Sequence, residues 1–386
     1  MSTPTPPHSH APTPPVDQDY LLRLHESLVN IPSVFPQEEE IMLFLEKELR
    51  GLGFRPVRLI LPDARFNLLT RLGSGSPAFC LNAHADTIPP SGNSVPNARI
   101  ENGRMYGLGS VDDKACVAAM IAVFKAIAES KTTLNGTLDL LISVDEEGDA
   151  NGVRSAIRNG YRCDMAVVGE ATSLEIVRSH CGLIFLDIVT HGRSTHGSIP
   201  MEGINAIDRM YKLVEGLRAL VADYPAHPTV GPATLNLGII RAGDRPNRVP
   251  DRCEASIDIR LVPPMKVEET LARIEAYLAD WPDAEYKITK KGECLDTPED
   301  SPLIKAIIQA AGRTGFEPPV VGWRGWTEAE PFQSGLGIDA VVLGPGELKR
   351  AHSADEFVDL AEVQRAANLY AEIALSILCH DQQSPK

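Results

Sequence analysis

The 386-residue sequence has few of the features that mark secreted, membrane-spanning or nucleic-acid-binding proteins. Its seven cysteines are odd in number, scattered, and never spaced Cys-x-x-Cys, which argues against a disulfide framework and a structural zinc knuckle. No apolar run approaches the ~18 residues that a membrane span requires. Lysine and arginine total 37 against 52 acidic residues, and the net charge of -15 would repel a phosphate backbone. We therefore expect a cytoplasmic protein whose partners are neither membranes nor nucleic acids.

Two further absences exclude common catalytic classes. The sequence has no Gly-x-Ser-x-Gly turn, which disfavours a serine hydrolase of that type. It has neither a Gly-x-x-x-x-Gly-Lys loop nor a Gly-x-Gly-x-x-Gly turn, which disfavours a nucleotide-dependent enzyme. The chemistry must therefore be sought in other side chains.

The order of apolar patterns predicts a tail and two domains. Residues 1–16 are rich in proline and poor in aliphatic side chains, which predicts a disordered tail. Runs such as LDLLISV and MAVV are apolar on both faces, as in strands that are covered by helices. This pattern predicts an α/β domain that is discontinuous in the chain and comprises residues 17–181 and 293–386. Between them, residues 182–292 show the order βαββαβ of a ferredoxin-like module. We predict an α/β protein with this module inserted in the first domain.

Candidate metal ligands follow several strands of the first predicted domain. Because sites in open α/β sheets form beyond the carboxyl ends of strands, chain-distant residues there converge. Imidazole and carboxylate donors without thiolate suit a catalytic zinc site, and five or six donors suit two metal ions rather than one. Without cations, clustered carboxylates would repel one another. The candidates are His84, Asp86, Glu146, Glu147, Glu170 and His352, with Asp112 before a helix.

Taken singly, each motif has a plainer interpretation. A lone His84 is more often a hydrogen-bonded core or surface residue. The pair Asp112-Asp113 is more often a helix N-cap, and the run VDEEG is more often a solvated turn. Their joint placement at the strand ends is what favours a metal site.

The sequence resembles the zinc aminoacylase and carboxypeptidase family, which includes acetylornithine deacetylase, succinyl-diaminopimelate desuccinylase and aminoacylase. The resemblance covers roughly residues 17–378. It implies a zinc-peptidase-like α/β catalytic domain with an inserted lid or dimerisation domain. The motifs that carry it, in order, are NAHADTIPP, GLGSVDDKACVAAM, VDEEGDA, VVGEATS, GRSTHGSIP, NRVPD, DIR, GWTEA and LGPGELKRAHSADEFV.

The resemblance implies a division of the ligands between two divalent ions. His84 and Glu170 would complete one metal, Glu147 and His352 the other, and Asp112 would bridge them. Zinc is the expected ion, although the same donors accept cobalt or manganese.

The resemblance also implies roles outside the ligand set. Asp86 would orient the first histidine ligand, and Glu146 would be the general base. His196 would stabilise the oxyanion, in dimeric members from the partner subunit, and Asn247 and Arg260 would hold the substrate carboxylate. Without the family context, Arg260 is more often in a strand-edge salt bridge and Asn247 in a turn.

The chain departs from the usual family pattern beside the bridging carboxylate. Leu108 stands where arginine is frequent, Asp113 where methionine is frequent, and Ala115-Cys116 replace two glycines. Asp113 would add negative charge next to Asp112.

The stretch GWTEAEPFQSG is closer to the acetylornithine deacetylase branch than to the desuccinylase branch. Glu328 within it would attract a cationic substrate side chain. We expect deacetylation of an N-acetyl amino acid, first N-acetylornithine in arginine biosynthesis, by a homodimer formed through the inserted domain. The alternatives are a succinyl-diaminopimelate desuccinylase, an acetyl-lysine or acetyl-citrulline deacetylase, and a dipeptidase. A non-catalytic metal-binding interaction protein is disfavoured because it would have no use for Glu146.

Overall fold

The computed structural model of the protein describes residues 13–90, 97–148 and 150–379. Its helices have buried faces because apolar side chains recur three and four residues apart. Asp17, Asn205 and Ser301 each accept a hydrogen bond from an amide of a helix's first turn. None of the helices in the described residues is long and apolar enough to cross a membrane. The helices are α1 (Gln18–Val29), α2 (Glu39–Gly51), α3 (Lys114–Ser130), α4 (Gly152–Arg158), α5 (Ala206–Ala222), α6 (Val267–Leu278), α7 (Pro302–Arg313), α8 (Ala329–Leu336) and α9 (Leu360–Leu378).

The strands include the predicted run LDLLISV, of which all but the final Val144 lie in β6, and the run MAVV, which is β7. They are β1 (Val57–Ile60), β2 (Phe66–Gly73), β3 (Ala78–His84), β4 (Arg99–Glu101), β5 (Arg104–Tyr106), β6 (Thr137–Ser143), β7 (Met165–Val168), β8 (Ile176–His180), β9 (Gly182–His191), β10 (Thr234–Ala242), β11 (Arg252–Leu261), β12 (Ala284–Gly292), β13 (Leu295–Asp296), β14 (Val320–Trp323), β15 (Asp339–Val342) and β16 (Phe357–Asp359).

The chain forms two units, of which the first comprises residues 1–175, 300–319 and 342–386. Its central strands run in the order β1-β2-β6-β3-β7, and β3 is parallel to both β6 and β7. The apolar helix α3 packs against α1 and α9. A small antiparallel sheet, β16-β5-β4, was not predicted. The parallel strands place the carboxyl ends of β3, β6 and β7 on one edge.

The second unit comprises residues 176–299 and 320–341. Its antiparallel sheet has the order β10-β11-β9-β12, and α5 and α6 contribute to its apolar core. From β9 to β12 the element order is the predicted βαββαβ. The unit also holds β8, which pairs with β13 and β14. The α/β fold class is confirmed, whereas the domain boundaries at 182 and 292 stay predictions.

The predicted N-terminal tail is only partly within the described residues. Residues 1–12 lie outside them. Thr13 hydrogen-bonds to Glu372, and Val16 is buried. Residues 13–16 are therefore packed against the first unit, because the apolar Val16 side chain finds a buried position there.

Candidate metal centre

Three parallel strands deliver predicted ligands to one edge of the first unit's sheet. His84 is the last residue of β3, Glu147 lies in the turn after β6, and Glu170 follows β7 by two residues. The His84 Nε2 atom lies 3.8 Å from Glu170 Oε1. The sheet thus brings together residues that are far apart in the chain, as expected from the rule for strand ends.

Asp112 lies between two histidines and presents one carboxylate oxygen to each. His84 Nε2 is 3.0 Å from Asp112 Oδ1, and His352 Nε2 is 3.3 Å from Asp112 Oδ2. His352 Nε2 also lies 2.8 Å from Glu147 Oε1. Within each of two groups, one of His84, Asp112 and Glu170 and one of Asp112, Glu147 and His352, the ligand atoms lie within 4.8 Å of one another. The side chains are grouped as the family resemblance divides the ligands, and their role as ligands stays a prediction.

The pKa values show how strongly this cluster demands positive charge. Hydrogen bonds with Asp112 and Glu147 raise the pKa of His352 to about 10. Burial would lower the pKa of His84, but its contacts with Asp112 and Asp86 raise it overall. Burial and the neighbouring Asp112 raise the pKa of Glu170. Protons on the two imidazoles therefore balance the carboxylates here, a task that a divalent cation performs once it displaces them. This donor set of imidazole and carboxylate fits such a cation.

Asp86 connects the two groups of candidate ligands. His84 Nδ1 donates to the Asp86 carbonyl oxygen at 3.1 Å and lies 3.4 Å from Asp86 Oδ1. The other carboxylate oxygen of Asp86 accepts a hydrogen bond from the Glu147 amide at 2.9 Å. Asp86 is fully buried. It therefore fixes the ring of one candidate ligand and the backbone of another.

Glu146 lies beside the two groups without belonging to either of them. It is half-buried in the turn after β6, and its charge contributes to the raised pKa of Glu170. The preceding residue, Asp145, is fully buried and has a positive φ of 74°. A non-glycine residue rarely adopts a positive φ unless the surrounding structure enforces that backbone conformation. The turn thus presents a carboxylate that can accept a proton next to the candidate ligands.

The loop before α3 is held by carboxyl groups that sequence reasoning did not assign. Glu356 Oε1 accepts hydrogen bonds from the amides of Val111, at 3.0 Å, and Asp112, at 3.3 Å. Asp113 Oδ2 accepts from the His84 amide at 3.2 Å, and burial raises the pKa of Asp113 to about 7. Burial therefore disfavours the negative charge that we expected at Asp113, next to Asp112. Glu356 lies in a motif that carried the family resemblance, but no local pattern indicated its contacts.

His352 reaches the centre from a loop rather than from a strand end. It has a positive φ of 59°. The loop starts at Gly344, whose amide donates to Thr172 Oγ1 at 3.0 Å, while the Tyr370 hydroxyl donates to the Leu343 carbonyl at 2.6 Å. These bonds anchor the loop next to the segment that carries Glu170. The sequence placed His352 beyond the end of a strand, now β15, but no periodic signal could predict the loop that brings it to the centre.

Two other predicted site residues lie close together in the second unit. The Gly197 amide donates to the Asn247 carbonyl at 2.7 Å. A side chain at position 197 would collide with the Asn247 backbone. His196 and Asn247 are both exposed, and His196 Nδ1 lies 2.8 Å from Ser198 Oγ. Their segments therefore form one surface region.

The remaining two predicted site residues, Arg260 and Glu328, are less exposed to solvent. Arg260 Nε lies 2.9 Å from Asp258 Oδ1, so an ion pair is present, although β11 is an inner strand and not an edge strand of its sheet. Glu328 is 1% exposed at the start of α8. A substrate role for either residue stays a prediction.

Comparison with known proteins identifies the family of the chain. The model of peptidase family M20/M25/M40 matches residues 80–376. An acetylornithine deacetylase of Proteus mirabilis is 32% identical over 91% of this chain and 95% of that protein. An acetylornithine deacetylase of Erwinia tasmaniensis is 31% identical over 93% of this chain and 98% of that protein.

Solved structures show the same fold. The aminopeptidase PepT of Bacillus cereus has a TM-score of 0.79 at 21% identity and covers 94% of this chain and 99% of its own. The YXEP protein of Bacillus subtilis, described as a dinuclear metal-binding peptidase of family M20, has a TM-score of 0.71 at 17% identity, with 94% and 98% covered. The chain belongs to peptidase family M20/M25/M40, resembles acetylornithine deacetylases, and is a metal-dependent hydrolase of amide bonds.

Proposed function

We propose that this protein is a two-metal amidohydrolase that removes an acetyl group from an N-acetyl amino acid, with N-acetylornithine as the first candidate. The observation that carries the proposal is the position of Asp112, whose two oxygens face two different histidines. Each histidine has a second carboxylate close by. The names of the deacetylase relatives support the acetyl group.

The ligands divide between two ions as the side chains are grouped. His84 and Glu170 would hold one ion and Glu147 and His352 the other, with Asp112 as a ligand common to both groups. When bound, two divalent cations, zinc or alternatively cobalt or manganese, supply charge neutralisation and a lowered pKa for the attacking water. The support is the donor chemistry and the grouping of the ligand atoms.

Glu146 performs the proton transfers in this proposal. Its carboxylate takes a proton from the water that attacks the amide carbonyl carbon, then gives the proton to the nitrogen as the C–N bond breaks. The products are a carboxylate and a free amine. Support comes from its position in the same turn as Glu147 but outside both ligand groups.

The second unit supplies substrate contacts in this proposal. His196 stabilises the oxyanion, from the partner subunit of a homodimer formed through residues 182–292, and Asn247 and Arg260 hold the substrate carboxylate. The shared surface region of His196 and Asn247 supports this, while the substrate carboxylate would replace Asp258 at Arg260. For Glu328, which would attract a cationic side chain, the support is its motif alone, because it is buried.

The test measures amine release from a panel of substrates by chelated protein, with and without added zinc, cobalt or manganese. The panel contains N-acetylornithine, N-acetyl-lysine, N-acetylcitrulline, N-succinyl-diaminopimelate and simple dipeptides. Metal-dependent release from N-acetylornithine supports the full proposal. Release only from another member keeps the reaction type but identifies that member as the substrate. No release from any member, with two metals bound per chain, favours a non-catalytic metal-binding protein. A fully active monomer in light scattering would exclude a role for His196 across a dimer.

A further inference from the structure

The turn that carries Glu146 is held from behind by the buried carboxylate of Asp145. Asp145 Oδ2 accepts a hydrogen bond from the Asn151 amide at 2.9 Å. The Asp145 carbonyl accepts from the Ala150 amide at 2.7 Å. Asp145 Oδ1 lies 3.1 Å from Arg65 Nη2. Asp145 is 0% exposed, so its charge requires a counter-charge within the protein.

Arg65 supplies that counter-charge from the residue that precedes β2. Its Nη1 donates to Glu38 Oε1 at 2.7 Å, and its Nη2 lies 2.7 Å from Asp63 Oδ2. Glu38 is 1% exposed and Asp63 is 52% exposed. The planar guanidinium thus bonds three carboxylates at once, which a lysine ammonium with its single charged atom cannot reproduce.

An aromatic contact reinforces the ion pair. The guanidinium carbon of Arg65 lies 4.9 Å from the centre of the Phe35 ring. The same ring fills the space beside Gly148, where an added Cβ would overlap with it. Arg65 and Phe35 therefore pack against the turn on either side of Glu146, at Asp145 and at Gly148.

The backbone of the turn is fixed by other buried groups as well. Asn67 Oδ1 accepts from the Val144 amide at 3.1 Å, and Asp86 Oδ2 accepts from the Glu147 amide. The Arg65 ion pair and the Asn151 amide hydrogen bond are made instead to the side chain that directly precedes Glu146, and the Arg65 ion pair supplies its counter-charge. A general base must be held within a fraction of an ångström of its working position, since a 1 Å displacement can cost ~100-fold in rate.

We propose that Arg65 is a positioning residue for amide hydrolysis, which fixes the direction of Glu146 through its ion pair with Asp145. The inference rests on the proposed function of Glu146. Arg65 acts through Asp145 and takes no part in the reaction itself.

The experiment compares Arg65→Lys with Asp63→Asn in the metal-loaded, full-length protein. Arg65→Ala would leave two buried carboxylates without a cation, so the conservative variant is used. We expect Arg65→Lys to lower kcat by roughly 10- to 100-fold, with KM within about twofold of the wild-type value. Asp63→Asn, which removes only the exposed partner, should keep kcat and KM within about twofold.

A readout without turnover separates this inference from the proposed function. Amide hydrogen exchange of the peptide covering residues 143–151 should be faster in Arg65→Lys than in the wild type and Asp63→Asn. Unchanged exchange would overturn the inference even if the enzyme is active. Faster exchange in Arg65→Lys, combined with a wild-type protein that hydrolyses no panel substrate, would instead keep the anchoring and reject the proposed function.

A double-mutant cycle tests the route through Asp145. In an Asp145→Asn background, Arg65→Lys should change kcat by less than about twofold, because the ion pair is already lost. A full additive loss in that background would show that Arg65 acts by another path. If Asp63→Asn and Arg65→Lys lost kcat equally and also lost Tm equally, Arg65 would contribute only to the stability of the fold. That outcome would also overturn the proposal.

Discussion

The two halves of the candidate metal centre share Asp112 but differ in their exposure to solvent. In the half formed with His84 and Glu170, those side chains are 2% and 7% exposed. In the half formed with Glu147 and His352, they are 10% and 49% exposed. The buried half is made at strand ends, whereas the other takes its histidine from a loop.

This difference predicts unequal behaviour towards metal. Buried carboxylates without a cation are costly, so the buried half gains most from a bound ion. Its histidine is also fixed by Asp86, while the other histidine is half open to solvent. We expect the buried half to release metal slowly and the exposed half to exchange it readily.

The largest effect should come from a residue that belongs to neither half. Glu146→Gln should lower kcat by ~100- to 10,000-fold, because the general base is lost. Both metals should stay bound, as measured by metal analysis of the purified variant. Glu129→Gln, on an exposed carboxylate of α3, is the matched control and should be fully active. Loss of a metal in Glu146→Gln would assign Glu146 to one of the halves.

The next effect distinguishes the halves directly. His352→Ala should leave one tightly held ion per chain, whereas His84→Ala should weaken the buried site. Each substitution of a ligand should weaken metal binding by more than the ~10- to 100-fold that is typical when a residue that hydrogen-bonds to a ligand is lost. Titration with a chelator, followed by metal analysis, measures both. If His352→Ala lost both ions at the same chelator concentration, the two halves would be one cooperative site.

A smaller effect is expected where the halves meet at Asp86. Asp86→Asn should weaken metal binding or activity by ~10- to 100-fold, because the negative charge near the His84 ring and at the Glu147 amide is lost, although the Asp86 carbonyl that accepts from the ring remains. Isothermal titration with zinc into chelated protein measures the affinities. An effect on only one of the two sites would mean that Asp86 serves one half alone.

The smallest effect on activity concerns the layer behind the buried half. His25 Nε2 donates to the Ser110 carbonyl at 2.9 Å, and burial, with Lys114 nearby, lowers the pKa of His25 to about 4. Between about 6.5 and about 4 the unfolded chain binds the extra proton, so stability falls as pH drops through this window. The loss is on the order of 3 kcal/mol.

Urea unfolding between pH 4 and 7 measures this dependence. His25→Gln should show a shallower slope than the wild type, because glutamine does not titrate. Identical slopes in the two proteins would mean that His25 is not held neutral in the folded state. Activity of the two at neutral pH should agree within about twofold.

Much of the centre was visible in the sequence because its strands are local and regular. The apolar runs of β6 and β7 predicted buried strands, and residues after parallel strands meet at one edge. His84, Glu147 and Glu170 were placed by this rule. The roles assigned to Glu146, Asn247, Arg260 and Glu328 came from the family resemblance and stay predictions.

Other parts depended on contacts that no local pattern encodes. Glu356 lies more than 240 residues from the amides that it bonds, and Arg65 is 80 positions away from Asp145. The sequence also predicted a disordered segment through residue 16, although Val16 is buried. Such pairings follow from packing and desolvation.

The sequence by itself determined the kinds of donor, their order along the chain and the strands that carry several of them, because strand and helix periodicity act over a few residues. Only the tertiary structure decided which oxygen of Asp112 faces which histidine and that one half of the centre is buried while the other is open. These properties depend on how distant segments exclude water from each other, and burial is a property of the whole fold.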